Sequence, residues 1–431
     1  MPDFLSEASF ADLQLPADRL GHARVASNTL RWVVNMPPGS VIAVQGSWGR
    51  GKTDVLARMM QLTRRDPPLP GLPEPAFWLN PWQYATPDLL TPLVQAMLAR
   101  AQTKEGVDVS KLKAVTAQLI QAGTSFGLKA AGSVLPGGEL LKLAAPEAAR
   151  LIGTLTTPDA PTPGGDPVAR MAANFRTLTE ALLPPEIAGV GGRIVVLVDD
   201  LDRCLPDRQV ALLQALRFLI SAGAPVSVVV ALDPILARQG VLAAYRSDAF
   251  DPDLYLDKMF DLRVNLGPID GDALNAQIAG LLERPVVVSN QERPLGSLLA
   301  RGWSSLPIAA PSALGVQSLR NPRVVHRVFD KLKLLVVSGR LPNPEDPAVA
   351  KLMLQFLAIS ERWPLVRSAL FEKGIHVGLD RLAKHYTGQQ RSQGLPEDVD
   401  LERLFTDIAH RKDSAAVVYP RMQEVLVGAG F

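Results

Sequence analysis

Eight residues of this 431-residue chain, Gly46-Ser47-Trp48-Gly49-Arg50-Gly51-Lys52-Thr53, follow the spacing G-x-x-x-x-G-K-[ST]. Glycines so placed let a short loop curl until successive backbone N–H groups point inward, a geometry suited to a polyphosphate. The lysine, Lys52, reaches the β- and γ-phosphates, and the Thr53 hydroxyl is a Mg²⁺ ligand. Gly46 to Thr53, with Asp54 behind them, form the candidate nucleotide-binding set. The alternative is a glycine-rich turn with a chance lysine. The flanks argue against it, because an apolar run, Val41 to Gln45, precedes the loop and a helical pattern, Thr53 to Arg64, follows. Arg50 is either a phosphate contact or a solvated loop residue, and Trp48 is placed to pack as a lid on the loop.

A second constellation is Ile194 to Val198 followed by Asp199-Asp200-Leu201-Asp202-Arg203-Cys204. In a parallel nucleotide-binding sheet, ligands sit beyond the carboxyl ends of the strands. Asp199 there can hold Mg²⁺, and Asp200 can orient or deprotonate an attacking water. Adjacent carboxylates repel, and a dication offsets that repulsion. The competing reading is a helix cap and a turn, a role open to Asp202 or Asp207. Arg203 is either a charge stabiliser, within the chain or across subunits, or a partner of Asp202 or Asp207. Cys204 reads as a buried small residue rather than a nucleophile, since no histidine is near it in sequence.

Weaker candidates stand at other strand and helix ends. Asp233 either senses the γ-phosphate or caps the helix that begins at Pro234. Asn80 either orients water or satisfies backbone in the Pro81 turn. Arg320, Arg323, Arg327 and Lys331 recur at helical spacing. They suit an arginine that reaches nucleotide from a lid, a nucleic-acid backbone contact, or a solvated basic face.

The elements that must position these residues are short β-branched runs alternating with helical patterns. Val41 to Gln45, Ile194 to Val198 and Val226 to Leu232 read as buried strands, and Phe77 to Leu79 and Leu262 to Leu266 as weaker ones. Arg208 to Ser221 and Pro234 to Tyr245 read as helices. This predicts an α/β fold, a parallel sheet covered on both faces. A helical insert over about 89–155, a Pro/Gly linker over 158–167 and a C-terminal helical domain complete it. The expected division is an entry segment 1–40, a core 41–270, a helical lid 271–340 and a helical domain 341–431.

Composition narrows the classes. The chain is 47% hydrophobic and 20% charged, which excludes wholesale disorder. With 45 Lys+Arg against 43 Asp+Glu, its balance does not indicate nucleic acid or an anionic membrane as partner. One cysteine forbids an intramolecular disulfide and suits a reducing, cytoplasmic setting. The first residues lack the basic and apolar regions of a signal peptide, and no stretch reads as a membrane span. Five scattered histidines lack zinc-ligand spacing. The six tryptophans are expected mostly in the core, and no aromatic-interleaved basic stripe suggests a single-strand platform.

Several motifs in order resemble the KAP family of P-loop NTPases. The loop Gly46 to Thr53 is similar to that family's G-x-W-G-x-G-K-[ST] form. Asn80-Pro81-Trp82-Gln83-Tyr84 resembles its N-x-W-x-[YF] strand end, and Asp199 to Cys204 its acidic signature. Asp18-Arg19-Leu20-Gly21, Val230-Ala231-Leu232-Asp233, Tyr255 to Phe260 and Asn321-Pro322-Arg323 with Arg327 resemble its remaining segments. The resemblance implies an additional-strand P-loop core that hydrolyses ATP or GTP with Mg²⁺, with Arg323 as the lid arginine. The absence of an N-K-x-D-like guanine motif favours ATP. Many members carry transmembrane helices between the two motifs, and the insert here is too polar and broken for that. Bacterial members include phage-exclusion proteins, so the resemblance extends to a nucleotide-gated switch in phage defence, with a protein partner or homo-oligomer. The alternative is a nucleotide-held scaffold with little hydrolysis, and a DNA motor is disfavoured by the charge balance.

Overall fold

The computed structural model describes residues 15–83, 91–130, 167–184, 192–221, 223–246, 250–267, 271–288, 291–298, 321–337, 347–390 and 394–428. Most of the 158–167 linker, the later part of the insert, Tyr84, Trp303 and Arg320 lie outside these residues. The chain divides into two compact units, 1–18 with 22–266 and 19–21 with 267–431.

The first unit is built on five parallel strands: β1 (Val41–Gln45), β2 (Phe77–Leu79), β3 (Ile194–Val198), β4 (Val226–Leu232) and β5 (Leu262–Asn265). Their order is β2-β3-β4-β1-β5, with Gln45 beside Leu232 and Val198 beside Val230. β4 therefore stands between the strand that enters the glycine loop and the strand that ends in carboxylates. This is the additional-strand arrangement expected from the sequence.

Alternation along the strands explains their unbroken apolar character. Val41, Ala43, Val196, Val198, Val228 and Val230 face one core, while Ile42, Val44, Val195, Leu197, Val229 and Ala231 face the other. Helices α1 (His22–Asn35) and α2 (Lys52–Thr63) cover the second face. Helices α3 (Thr91–Ala101), α4 (Val109–Ala130), α5 (Pro167–Glu180), α6 (Pro206–Ser221) and α7 (Pro234–Tyr245) contribute to the first. With both faces buried, each strand position favours a β-branched residue, worth about 1.5–3 kcal/mol when fully buried.

The second unit has one core, drawn from Leu274 through Leu426. Its described elements are helical apart from β6 (Pro285–Val288) and β7 (Gln291–Pro294), an antiparallel pair. That hairpin stands within the segment 271–340 expected as a helical lid. Val286-Val287-Val288 is a β-branched run of the kind that pairs, and the helical reading passed over it. Beyond Asn321 the described elements are helices, as expected. Arg19 belongs to this unit, where it pairs with Glu283 at 3.1 Å and donates to the Ala276 carbonyl at 2.9 Å. Among the described residues, no helix is long and apolar enough to cross a membrane.

Candidate functional site

β1 delivers the chain into the glycine loop, and the Gly46 N–H donates to the Leu232 carbonyl of β4 at 3.2 Å. Gly49 and Gly51 turn the loop with φ of 85° and 88°, a region that side chains rarely adopt. α2 begins at Lys52, so its unpaired first N–H groups and positive end belong to the loop. The Lys52 ammonium donates to the Gly46 carbonyl at 2.9 Å, spanning the loop, and lies 3.5 Å from Asp202. Asp202, well buried, also accepts the Asp233 backbone N–H at 3.1 Å.

β3 ends at the carboxylates. Asp199 is buried, its N–H donates to the Leu79 carbonyl at 3.0 Å, and the Thr53 hydroxyl stands by its carboxylate and favours the charged form. Burial, then the adjacent Asp200 carboxylate, hold Asp199 well above the usual carboxylate range, with the Thr53 hydroxyl opposing them. Asp200 is raised too, by burial, against the opposing charge of Arg203 and the hydrogen bond from Asn80. A hydroxyl and a carboxylate meet here beside a second carboxylate, in a pocket of excess negative charge. That donor set fits a hard dication such as Mg²⁺.

Asp200 has a φ of 55°, one of two non-glycine positive values among the described residues. Such a conformation costs on the order of 1 kcal/mol and is kept only where the surroundings impose it. The surroundings are visible. Asn80 donates its side-chain N–H to one Asp200 oxygen at 3.1 Å, and Arg203 Nε lies 2.9 Å from the other. The other end of the Asn80 amide accepts the Trp82 N–H at 3.2 Å, so Asn80 satisfies backbone in the Pro81 turn while its amide N–H holds Asp200.

Other candidates fall elsewhere. Arg203 meets Asp200 rather than Asp202 or Asp207. Asp54 turns away from the loop, to Arg58 at 2.9 Å and His22 at 2.7 Å. Burial would raise its pKa, but the His22 and Arg58 contacts outweigh burial and hold it below the usual range. Arg50 donates to the Ser47 hydroxyl at 3.3 Å. The Asp233 side chain accepts from Ile235 and Leu236 N–H groups, the capping geometry. Arg323 opens α8 (Pro322–Val337) in the second unit, with its N–H donating to Asn321 Oδ1 at 3.0 Å. Arg327 and Lys331 both pair with Glu361. Cys204 is buried, and that burial pushes its thiol up to about 11.

The tryptophans depart from expectation. Trp363 is buried, but Trp32, Trp48 and Trp82 are 43%, 48% and 43% exposed. Trp48 and Trp82 ride on a loop and a strand-end turn, where no layer among the described residues covers them. Two residues at the site escaped the sequence reading. Asp202 was treated as a cap, although its i, i+2 spacing from Asp200 was a usable signal. His22 presses on the loop from behind, where a Cβ on Gly51 would lie 2.1 Å from its ring.

The model of the KAP family P-loop domain matches residues 23–336, and the chain belongs to that family. Its class is thus the nucleotide-binding P-loop domain. No curated protein sequence matches the chain. The Aeropyrum pernix ORC2 protein, solved in ADPNP-ADP complexes, is similar with a TM-score of 0.40 and 12% identity. The alignment covers 93% of this chain and 83% of that one.

Proposed function

We propose that the protein is a Mg²⁺-dependent nucleoside-triphosphatase, acting on ATP, whose nucleotide state gates a conformational switch. The observation that carries this reading is the juxtaposition of the glycine loop with the carboxylate strand end: Lys52 donates to the Gly46 carbonyl at 2.9 Å and lies 3.5 Å from Asp202, and the Thr53 hydroxyl favours the charged form of Asp199. The loop amides and Lys52 bind and neutralise the phosphates. Thr53 and Asp199 would hold Mg²⁺, which when bound supplies charge neutralisation at the transferring phosphoryl group. Asp200 orients the attacking water and accepts its proton, and Asn80 fixes the Asp200 carboxylate for that task. Phosphoryl transfer asks for positioning and charge stabilisation rather than a covalent intermediate, and every residue named supplies one or the other.

Arg323 is our candidate for an arginine that completes the site, from the same chain or from a second copy. ATP over GTP, a cytoplasmic setting and a role in bacterial defence against phage follow from the family resemblance and the sequence reading alone. A second reading, a nucleotide-held scaffold with slow hydrolysis, is favoured by one observation: both Asp200 oxygens already have partners, Asn80 and Arg203.

Steady-state ATP and GTP hydrolysis with Mg²⁺ separates the two, measured for wild type, Lys52→Ala and Asp200→Asn across protein concentration. Turnover abolished in both variants, with nucleotide binding kept by Asp200→Asn, is the expected result. A rate per subunit that rises with concentration would point to an arginine from a neighbour. Binding without turnover in the wild type would leave the scaffold.

A further inference from the structure

Arg203 joins three separated sequence motifs. Its Nε lies 2.9 Å from Asp200 Oδ1, and its guanidinium carbon lies 5.4 Å from the ring centroid of Trp48 and 5.4 Å from that of Trp82. Trp48 is part of the glycine loop, and Trp82 follows Asn80, which holds the other Asp200 oxygen at 3.1 Å. Two tryptophans left 48% and 43% exposed beside a buried site are unusual, and their shared contact is this guanidinium. A planar cation suits the position, because it can face aromatic rings and still direct an N–H at a carboxylate.

We infer that Arg203 is a positioning residue for Asp200, seated by Trp48 and Trp82, and that occupancy of the phosphate loop is transmitted to Asp200 through Trp48. The argument is geometric. Trp48 lies between Ser47 and the left-handed Gly49, so a loop that closes on a triphosphate carries the Trp48 ring with it. A displaced ring changes the seat of Arg203, and Arg203 forms the ion pair that, together with the Asn80 hydrogen bond, orients Asp200. Arg203 thus acts through Asp200 instead of reaching the phosphates itself. The inference rests on the hydrolase reading only for the task assigned to Asp200.

The test uses the full chain as wild type, Arg203→Ala, Arg203→Lys, Asp200→Asn, Trp48→Phe and Trp82→Phe. The readouts are affinity for Mg²⁺ with a non-hydrolysable ATP analogue, kcat with KM, and tryptophan emission, assigned to rings by the Phe variants. Arg203→Ala is expected to keep analogue affinity within about threefold and KM little changed while kcat falls by about tenfold or more. Arg203→Lys, which keeps charge but loses the planar stack, is expected to recover part of kcat. The emission change on adding analogue is expected to shrink by about half or more in Arg203→Ala.

An affinity loss in Arg203→Ala as large as that of Lys52→Ala would overturn the inference, since Arg203 would then bind nucleotide directly. An undiminished emission response in Arg203→Ala would overturn it as well. If the wild type binds nucleotide without turning it over, the hydrolase reading fails, and emission alone decides this one. If Arg203→Ala does not fold, Asp200→Asn carries the test. It removes the charge that Arg203 pairs with and should alter Trp48 and Trp82 emission before nucleotide is added; unaltered emission would refute the coupling.

Discussion

Asp199 sits where a carboxylate is least welcome, buried and next to a second carboxylate. Its raised pKa means that the folded state disfavours the charged form. The sign follows: stability from this group is greatest on the acid side, and is lost as pH rises from the ordinary carboxylate range through the raised value. Asp199→Asn should therefore raise the melting temperature of the nucleotide-free protein at neutral pH, by about 2 °C or more, and flatten its pH dependence. The same change should abolish the Mg²⁺ dependence of nucleotide binding. Melts over about pH 5 to 8 with and without Mg²⁺ check both parts. Cys204 gives a simpler prediction. With its thiol pushed up to about 11, the native protein should resist a thiol reagent near pH 8 and react once per chain when denatured. A fast native reaction would contradict the burial described.

The loop and α2 act as one element, and Gly51 is its tightest point. Its φ of 88° is strained for any side chain, and the His22 ring fills the space a Cβ would need. Gly51→Ala should lower nucleotide affinity by about tenfold or more and cost on the order of 1–3 kcal/mol, read by titration and denaturant unfolding. His22→Ala removes the backing without forcing the backbone. It should weaken nucleotide affinity less than Gly51→Ala does, and the ranking of the two by titration is the check. Asp54 adds a pH signature. Its depressed pKa contributes stability above the ordinary carboxylate range, which is lost as pH falls through the depressed value. The loop, its flanking strand and the carboxylate strand were legible in the sequence because each is a contiguous run with a characteristic pattern. The Asp54–Arg58 pair stands at the helical i, i+4 spacing, but the His22–Asp54 contact was not legible, since it joins residues 32 apart and no period marks it.

At the scale of the whole molecule, two units with separate cores imply two unfolding events. The expected calorimetric trace has two transitions. Nucleotide with Mg²⁺ should shift chiefly the one that belongs to residues 22–266, by about 2.7 kcal/mol at a hundredfold excess over Kd. A single transition, or an equal shift of both, would show that the units unfold together.

The parallel sheet, its strands and the two motifs were determined by local patterns: alternation hidden in doubly buried runs, glycine spacing, and acids at a strand end. These signals survive in one dimension because strands and loops are contiguous. What only the tertiary structure decided is pairing across distance. The sequence offered Arg203 a pairing with Asp202 or Asp207, and the fold gave it Asp200 together with two tryptophans from other motifs. The tryptophans are expected mostly in the core, with Trp48 as a lid on the loop, and Trp48 and Trp82 are half exposed. Their exposure depends on which helices cover which ends of the sheet, and residue type does not encode that. The 285–294 hairpin carried a β-branched signal, but its pairing depends on contacts that no single segment contains.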